Sequence, residues 1–66
     1  MTQTIVHADL AALRYCNRGS RQFFDRHGLN WSEFLQHGVE IPIIERIDDE
    51  MARAVVREAK RRLGVE

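Results

Sequence analysis

Glycine punctuation limits what this chain can fold into more than any other feature does. Gly19, Gly28 and Gly38, with Pro42 close behind, cut the first two thirds into segments too short for a long helix or a long strand. No repeat, linker or low-complexity run interrupts that pattern. A chain of 66 residues makes one domain at most, read as 1–66. At this size only about 60% of the unfolded surface is buried on folding. Small domains often compensate with disulfides, metals or oligomerisation. The single cysteine, Cys16, excludes an internal disulfide.

The segments between the breakers read mostly as helices. Thr4-Ile5-Val6 is β-branched and predicts an arm over 1–6 that is a short strand or frayed. Ala8 to about Tyr15 is helical, with Leu10, Ala11 and Leu13 on one face and Asp9 in the first turn, where the dipole favours an acid. Asn17-Arg18-Gly19 predicts its end, Gly19 supplying a left-handed cap. Ser20 to His27 is a second helix, with Phe23, Phe24 and His27 on one side, stopped by Gly28 and followed by Leu29 as the apolar contact of that cap. Asn30 caps a third helix, Glu33 sits where a capping box needs it, and Trp31, Phe34 and Leu35 fall at i, i+3 and i+4 before Gly38. Val39 to Ile44 is apolar, and Pro42 fixes a turn or opens a single helical turn.

Asp48 or Asp49 opens the longest helix, spanning about 48–63. Its inner stripe is Met51, Ala52, Val55, Val56, Ala59 and Leu63, while Arg53, Arg57, Glu58, Lys60 and Arg61 face out. Acids at its start and Lys60, Arg61 and Arg62 at its end match the helix dipole, and Gly64 terminates it. The expected core is Leu10, Leu13, Phe23, Phe24, Leu29, Trp31, Phe34, Leu35, Ile44, Val55, Val56 and Ala59. These faces predict an all-α orthogonal bundle, three short helices packed on one longer C-terminal helix.

Residues with catalytic or ligating chemistry are scattered. His7, Cys16, His27 and His37 lie about ten residues apart, without the close pairs that zinc sites use. His27 and His37 each precede a glycine, as helix C-terminal residues do. Cys16 sits in no nucleophile motif and is expected to be buried as a small apolar residue. Asp48-Asp49-Glu50 reads as helix capping, not acid–base chemistry. No catalytic residue, metal or cofactor is implied.

Net charge is zero, which argues weakly against a dedicated nucleic-acid binder. The distribution is uneven, however. Arg14, Arg18, Arg21 and Arg26 face only Asp25 over residues 14–26, whereas 40–50 is strongly acidic. Nine of the ten basic residues are Arg, the side chain that binds phosphate bidentately. Two short helices around a tight Asn-Arg-Gly turn suggest a DNA-binding helix-turn-helix, but a second helix beginning at Ser20 is short and commits Phe23 and Phe24 to the core. One cysteine and no signal-peptide pattern suit a reducing cytosol. Ile41-Pro42-Ile43-Ile44 is far too short for a bilayer, which needs roughly 20 residues.

The string Cys16-Asn17-Arg18-Gly19-Ser20-Arg21-Gln22-Phe23-Phe24, then Arg26-His27-Gly28-Leu29-Asn30-Trp31 and Phe34-Leu35-Gln36-His37-Gly38-Val39, resembles a family of small uncharacterised proteins encoded in tailed-bacteriophage and prophage genomes. Their pattern has a Cys, an Arg-Gly pair, an aromatic, Arg-His-Gly-Leu-Asp-Trp, and Phe-Leu followed by Gly-Ile. The match covers roughly residues 8 to 60. Asn30 stands where the family usually has Asp, and Asp48-Asp49 where it tends to have Gly-Asp. The resemblance implies a phage or prophage origin and expression in the bacterial cytoplasm. It implies no activity.

The expected function is therefore a non-enzymatic phage or prophage interaction protein, accessory to virion assembly and acting by protein–protein docking. Arg14, Arg18, Arg21 and Arg26 would steer a partner electrostatically, and Val39, Ile41 and Ile43 would anchor it. A homodimer through that segment or the last helix would relieve the small core. The alternative is a small DNA-binding regulator that uses the same arginines.

Overall fold

The N-terminal arm is pinned rather than frayed. In the computed structural model, which describes residues 3–65, β1 (Thr4–Ile5) pairs antiparallel with β2 (Val39–Glu40), in the register Thr4 with Glu40 and Ile5 with Val39. Ile41 N–H donates to Gln3 O at 3.1 Å, just beyond the pair. Positions 1 and 2 of the predicted arm lie outside the described residues. The fold is thus mostly helical but not all-α. Ile5 is 1% exposed, and burying it on β2 is what turns the arm into a strand.

Gly38 makes that pairing possible. Its φ of 77° and ψ of −178° belong to a region that only glycine occupies readily. A Cβ there would also stand 2.7 Å from Ile5 O. The chain leaves a helix, passes against β1 without a side chain, and pairs at once.

Among the described residues, five helices complete the order: α1 (His7–Ala12), α2 (Asn17–Arg26), α3 (Trp31–His37), α4 (Ile41–Glu45) and α5 (Glu50–Leu63). α1 is shorter than predicted and ends in its own reversal. Arg14, at φ 62°, takes the left-handed position expected of Gly19. Arg14 N–H donates to Ala11 O at 2.9 Å and Tyr15 N–H to Leu10 O at 3.1 Å, the paired bonds of a Schellman cap. Gly28 at φ 70° does the same for α2, with Leu29 N–H on Phe24 O at 2.8 Å. Gly64 closes α5 likewise, Val65 N–H reaching Lys60 O at 3.1 Å. Asn30 caps α3 by accepting Glu33 N–H at 2.9 Å, and Asp49 caps α5 by accepting Met51 N–H at 2.8 Å. Pro42 opens α4, a single helical turn.

The core joins Leu10, Phe23, Phe24, Phe34, Ile44, Val55, Val56 and Ala59, as expected, with Ile5, Ile41 and Ala52. Leu13, Leu29 and Trp31 pack against it half-buried. Leu35 does not: it is 52% exposed. Phe34 takes the centre of the buried face, its ring 4.7 Å from Phe24, and Leu35 lies about 100° around the helix from it. Leu63, at the end of the predicted stripe, is exposed as well.

Asp9 and Ser20 are the buried polar residues among those described. Asp9 accepts Val6 N–H at 2.9 Å and meets Arg62, whose Nε lies 2.8 Å from Oδ1. Arg62 Nη2 also donates to Thr4 O at 2.8 Å, so one guanidinium ties β1 and α1 to the end of α5. The hydrogen bond to Asp9 raises the Arg62 pKa above its ordinary value, against a smaller opposing effect of burial.

Candidate functional site

The basic surface is built on α2, and its first turn is where the sequence reading needs most correction. Asn17, Arg18 and Gly19 do not end a helix; they begin one. Cys16 is the N-cap, its Sγ accepting Gly19 N–H at 3.3 Å. That position is at the tip of the connection, so Cys16 is exposed rather than buried. The turn between α1 and α2 is Leu13–Cys16, and α2 gains three residues at its start over the predicted Ser20.

α2 buries Ser20, Phe23 and Phe24 and turns Arg18, Arg21, Gln22, Asp25 and Arg26 to solvent. Residues at i, i+3, i+4 and i+7 share a helix face, so Arg18, Arg21, Gln22 and Asp25 form one stripe with Arg26 at its edge. Arg14, in the turn, is exposed too. A shallow groove of about 490 Å³ is lined by Asn17, Arg18, Arg21, Gln22, Asp25 and Trp31. His7 Nε2 lies 2.7 Å from Asn17 Oδ1 and fixes the Asn17 side chain beside it.

Four of the remaining basic residues are held in ion pairs, while Arg46 and Arg57, like the arginines around α2, are in none among the described residues. Arg53 pairs with Asp48, Lys60 with Glu45, Arg61 with Glu58 and Arg62 with Asp9. Hydrogen bonds to those carboxylates raise the pKa values of Arg53, Arg61 and Arg62. Arg14, Arg18, Arg21 and Arg26 pair with no carboxylate among the described residues. Charge alone marks the four arginines in the sequence; Gln22, inside the predicted second helix but uncharged, carries no such signal.

The predicted apolar contact, Val39, Ile41 and Ile43, divides. Ile41 is 3% exposed and belongs to the core, because its N–H is committed to Gln3 O and its side chain follows β2 inward. Val39 is half-buried in the sheet, and Ile43 is 39% exposed on α4. Ile43 stands at a groove of about 350 Å³ with Leu29, Phe34 and Val39 in its walls and Glu33 and Glu40 at its edge.

Residues of catalytic type do not converge. Cys16 Sγ faces a backbone N–H, and His7 faces Asn17. The His27 ring packs 4.7 Å from Phe23. Among the described residues, no three His, Cys, Asp or Glu side chains gather closely enough to hold a metal ion, and no helix is long and apolar enough to cross a membrane. No family model, curated protein or solved structure matches the chain.

Proposed function

We propose that this chain is a non-enzymatic docking protein of a tailed bacteriophage or prophage, working in the bacterial cytoplasm or on the virion as an accessory to assembly. The phage setting rests on the resemblance carried by the string from Cys16 to Val39. The docking role rests on Ile43, an isoleucine 39% exposed beside the groove walled by Leu29, Phe34 and Val39. An apolar centre with a polar rim is the anatomy of a protein contact. Glu33 and Glu40 on that rim favour a partner segment with an apolar side chain flanked by basic residues.

A photoreactive amino acid at position 43, introduced in cells producing the phage, tests this reading. The expected product is a covalent adduct with one virion structural protein, absent when the same group replaces Arg57 on α5. An adduct only with a second copy of the chain would make the groove a homodimer contact. Adducts no different from those at Arg57 would remove the docking role from this groove.

A further inference from the structure

We propose that the outward face of α2 binds duplex DNA, Arg18, Arg21 and Gln22 entering the major groove while Arg14 and Arg26 hold phosphates at either end. The proposal concerns a different surface from the apolar groove and stands or falls without it.

α2 is longer than the sequence predicts, and its two core phenylalanines lie on its buried face, while the arginines are exposed. A reading helix that began at Ser20 would be short, with Phe23 and Phe24 taken by the core. α2 begins at Asn17 and has ten residues. At 1.5 Å per residue that is about 15 Å, enough to cross a major groove about 12 Å wide. Ser20, Phe23 and Phe24 hold it from behind, leaving a face whose exposed side chains are Arg18, Arg21, Gln22, Asp25 and Arg26.

Those residue types match base edges. Arginine donates bidentately to guanine O6 and N7, and glutamine pairs bidentately with adenine N6 and N7. Both arginines are exposed and neither is neutralised by a carboxylate among the described residues. Their donors are therefore available without breaking an ion pair. Asp25 shares the stripe and is repelled by phosphate; in a groove its acceptors suit the cytosine amino group. Arg14 precedes the stripe in the turn and Arg26 lies at its edge, both exposed and near enough in the chain to reach phosphates beside the groove. The first turn of α2, which carries Arg18, adds the positive end of its dipole. The major groove of RNA is too deep and narrow for a helix, so the partner is DNA. With zero net charge over the whole chain, binding depends on this patch and has a shallow salt dependence.

Fluorescence anisotropy with a labelled mixed-sequence duplex, at low salt and at about 150 mM salt, tests the assignment. The parent is expected to bind at low salt and weaken as salt rises. Arg18→Ala with Arg21→Ala should weaken low-salt binding at least about tenfold with an unchanged melting temperature, whereas Arg14→Ala with Arg26→Ala, which removes the phosphate contacts, should lower the salt slope by about 2. Arg18→Lys with Arg21→Lys should keep the salt slope but lose preference among duplex sequences. Ile43→Asp, in the apolar groove, should bind DNA as the parent does. No binding at low salt, parent-like binding by the double alanine variant, or equal binding of an RNA duplex or polyglutamate would each overturn the proposal.

Discussion

Arg62 and Asp9 stand 53 residues apart in the chain and meet as a fork on a carboxylate, Nε to Oδ1 at 2.8 Å and Nη2 to Oδ2 at 3.2 Å. Asp9 is 1% exposed, so removing Arg62 strands a buried charge. Arg62 keeps 35% of its side chain in water, which screens the pair and lowers its worth. Arg62→Ala should cost about 2–3 kcal/mol, a large part of the roughly 3–10 kcal/mol a chain this long holds. Arg61→Ala breaks only an exposed i,i+3 pair with Glu58 and should leave stability nearly unchanged. Urea denaturation of the two variants decides it; equal losses would mean that the fork does not close the fold. Because the Arg62 pKa is raised, its contribution is complete below the unfolded value. It is lost only as pH climbs through the folded value in strong base.

The same substitution at three glycines should have three outcomes. Gly19 lies inside α2 with a negative φ, and an added Cβ would meet only Cys16 Sγ at 3.4 Å. Gly19→Ala should therefore stabilise by about 0.5–1 kcal/mol. Gly28 has φ 70° but open space around it, so Gly28→Ala should cost about 1 kcal/mol from backbone strain alone. Gly38 combines φ 77° with a clash at Ile5 O, and Gly38→Ala should cost more than about 2 kcal/mol. Thermal melts of the three variants rank them; a Gly38 variant as stable as the Gly28 variant would contradict the close approach to β1.

Ser20 is 1% exposed and its hydroxyl has no hydrogen-bond partner among the described residues. Burial of that group is a net cost, and alanine is the better helix former. Ser20→Ala should raise stability by about 0.5–1 kcal/mol, seen as a higher denaturation midpoint at unchanged slope. A loss of stability would mean that the hydroxyl is bonded in solution.

What could be read in advance was local. Gly28, Gly64, Asn30 and Asp49 act within a few residues of themselves, and each ends or starts the helix its sequence context predicts. The apolar periodicity of α5 likewise needs only its own turns. Two of the misses are non-local. Nothing beside Thr4 and Ile5 reveals that Glu40 and Val39 will pair with them, and Asp9 reads as a dipole acid until Arg62 reaches it. Gly19 looked like the terminator because it is the nearest glycine. The chain reverses five residues earlier than that, at Arg14, which accepts a left-handed backbone. For the candidate site, the arginines were visible as composition, but the helix that aligns them depends on where α1 stops.

Arg14 is the last of these conflicts and is open to test. A non-glycine residue at φ 62° carries roughly 1–2 kcal/mol of local strain, partly offset in a glycine variant by the entropy of the unfolded chain. Arg14→Gly should therefore stabilise the fold by up to about 1 kcal/mol. Strained residues persist where something else depends on them, and the flank of the α2 stripe is such a place. The same variant should bind duplex DNA more weakly, with a salt slope lower by about 1. Urea denaturation and DNA anisotropy on one preparation separate the effects. Higher stability with weaker binding means that Arg14 is kept for contact at the expense of the turn. Lower stability means that its side chain supports the α1–α2 reversal, and the strain argument fails.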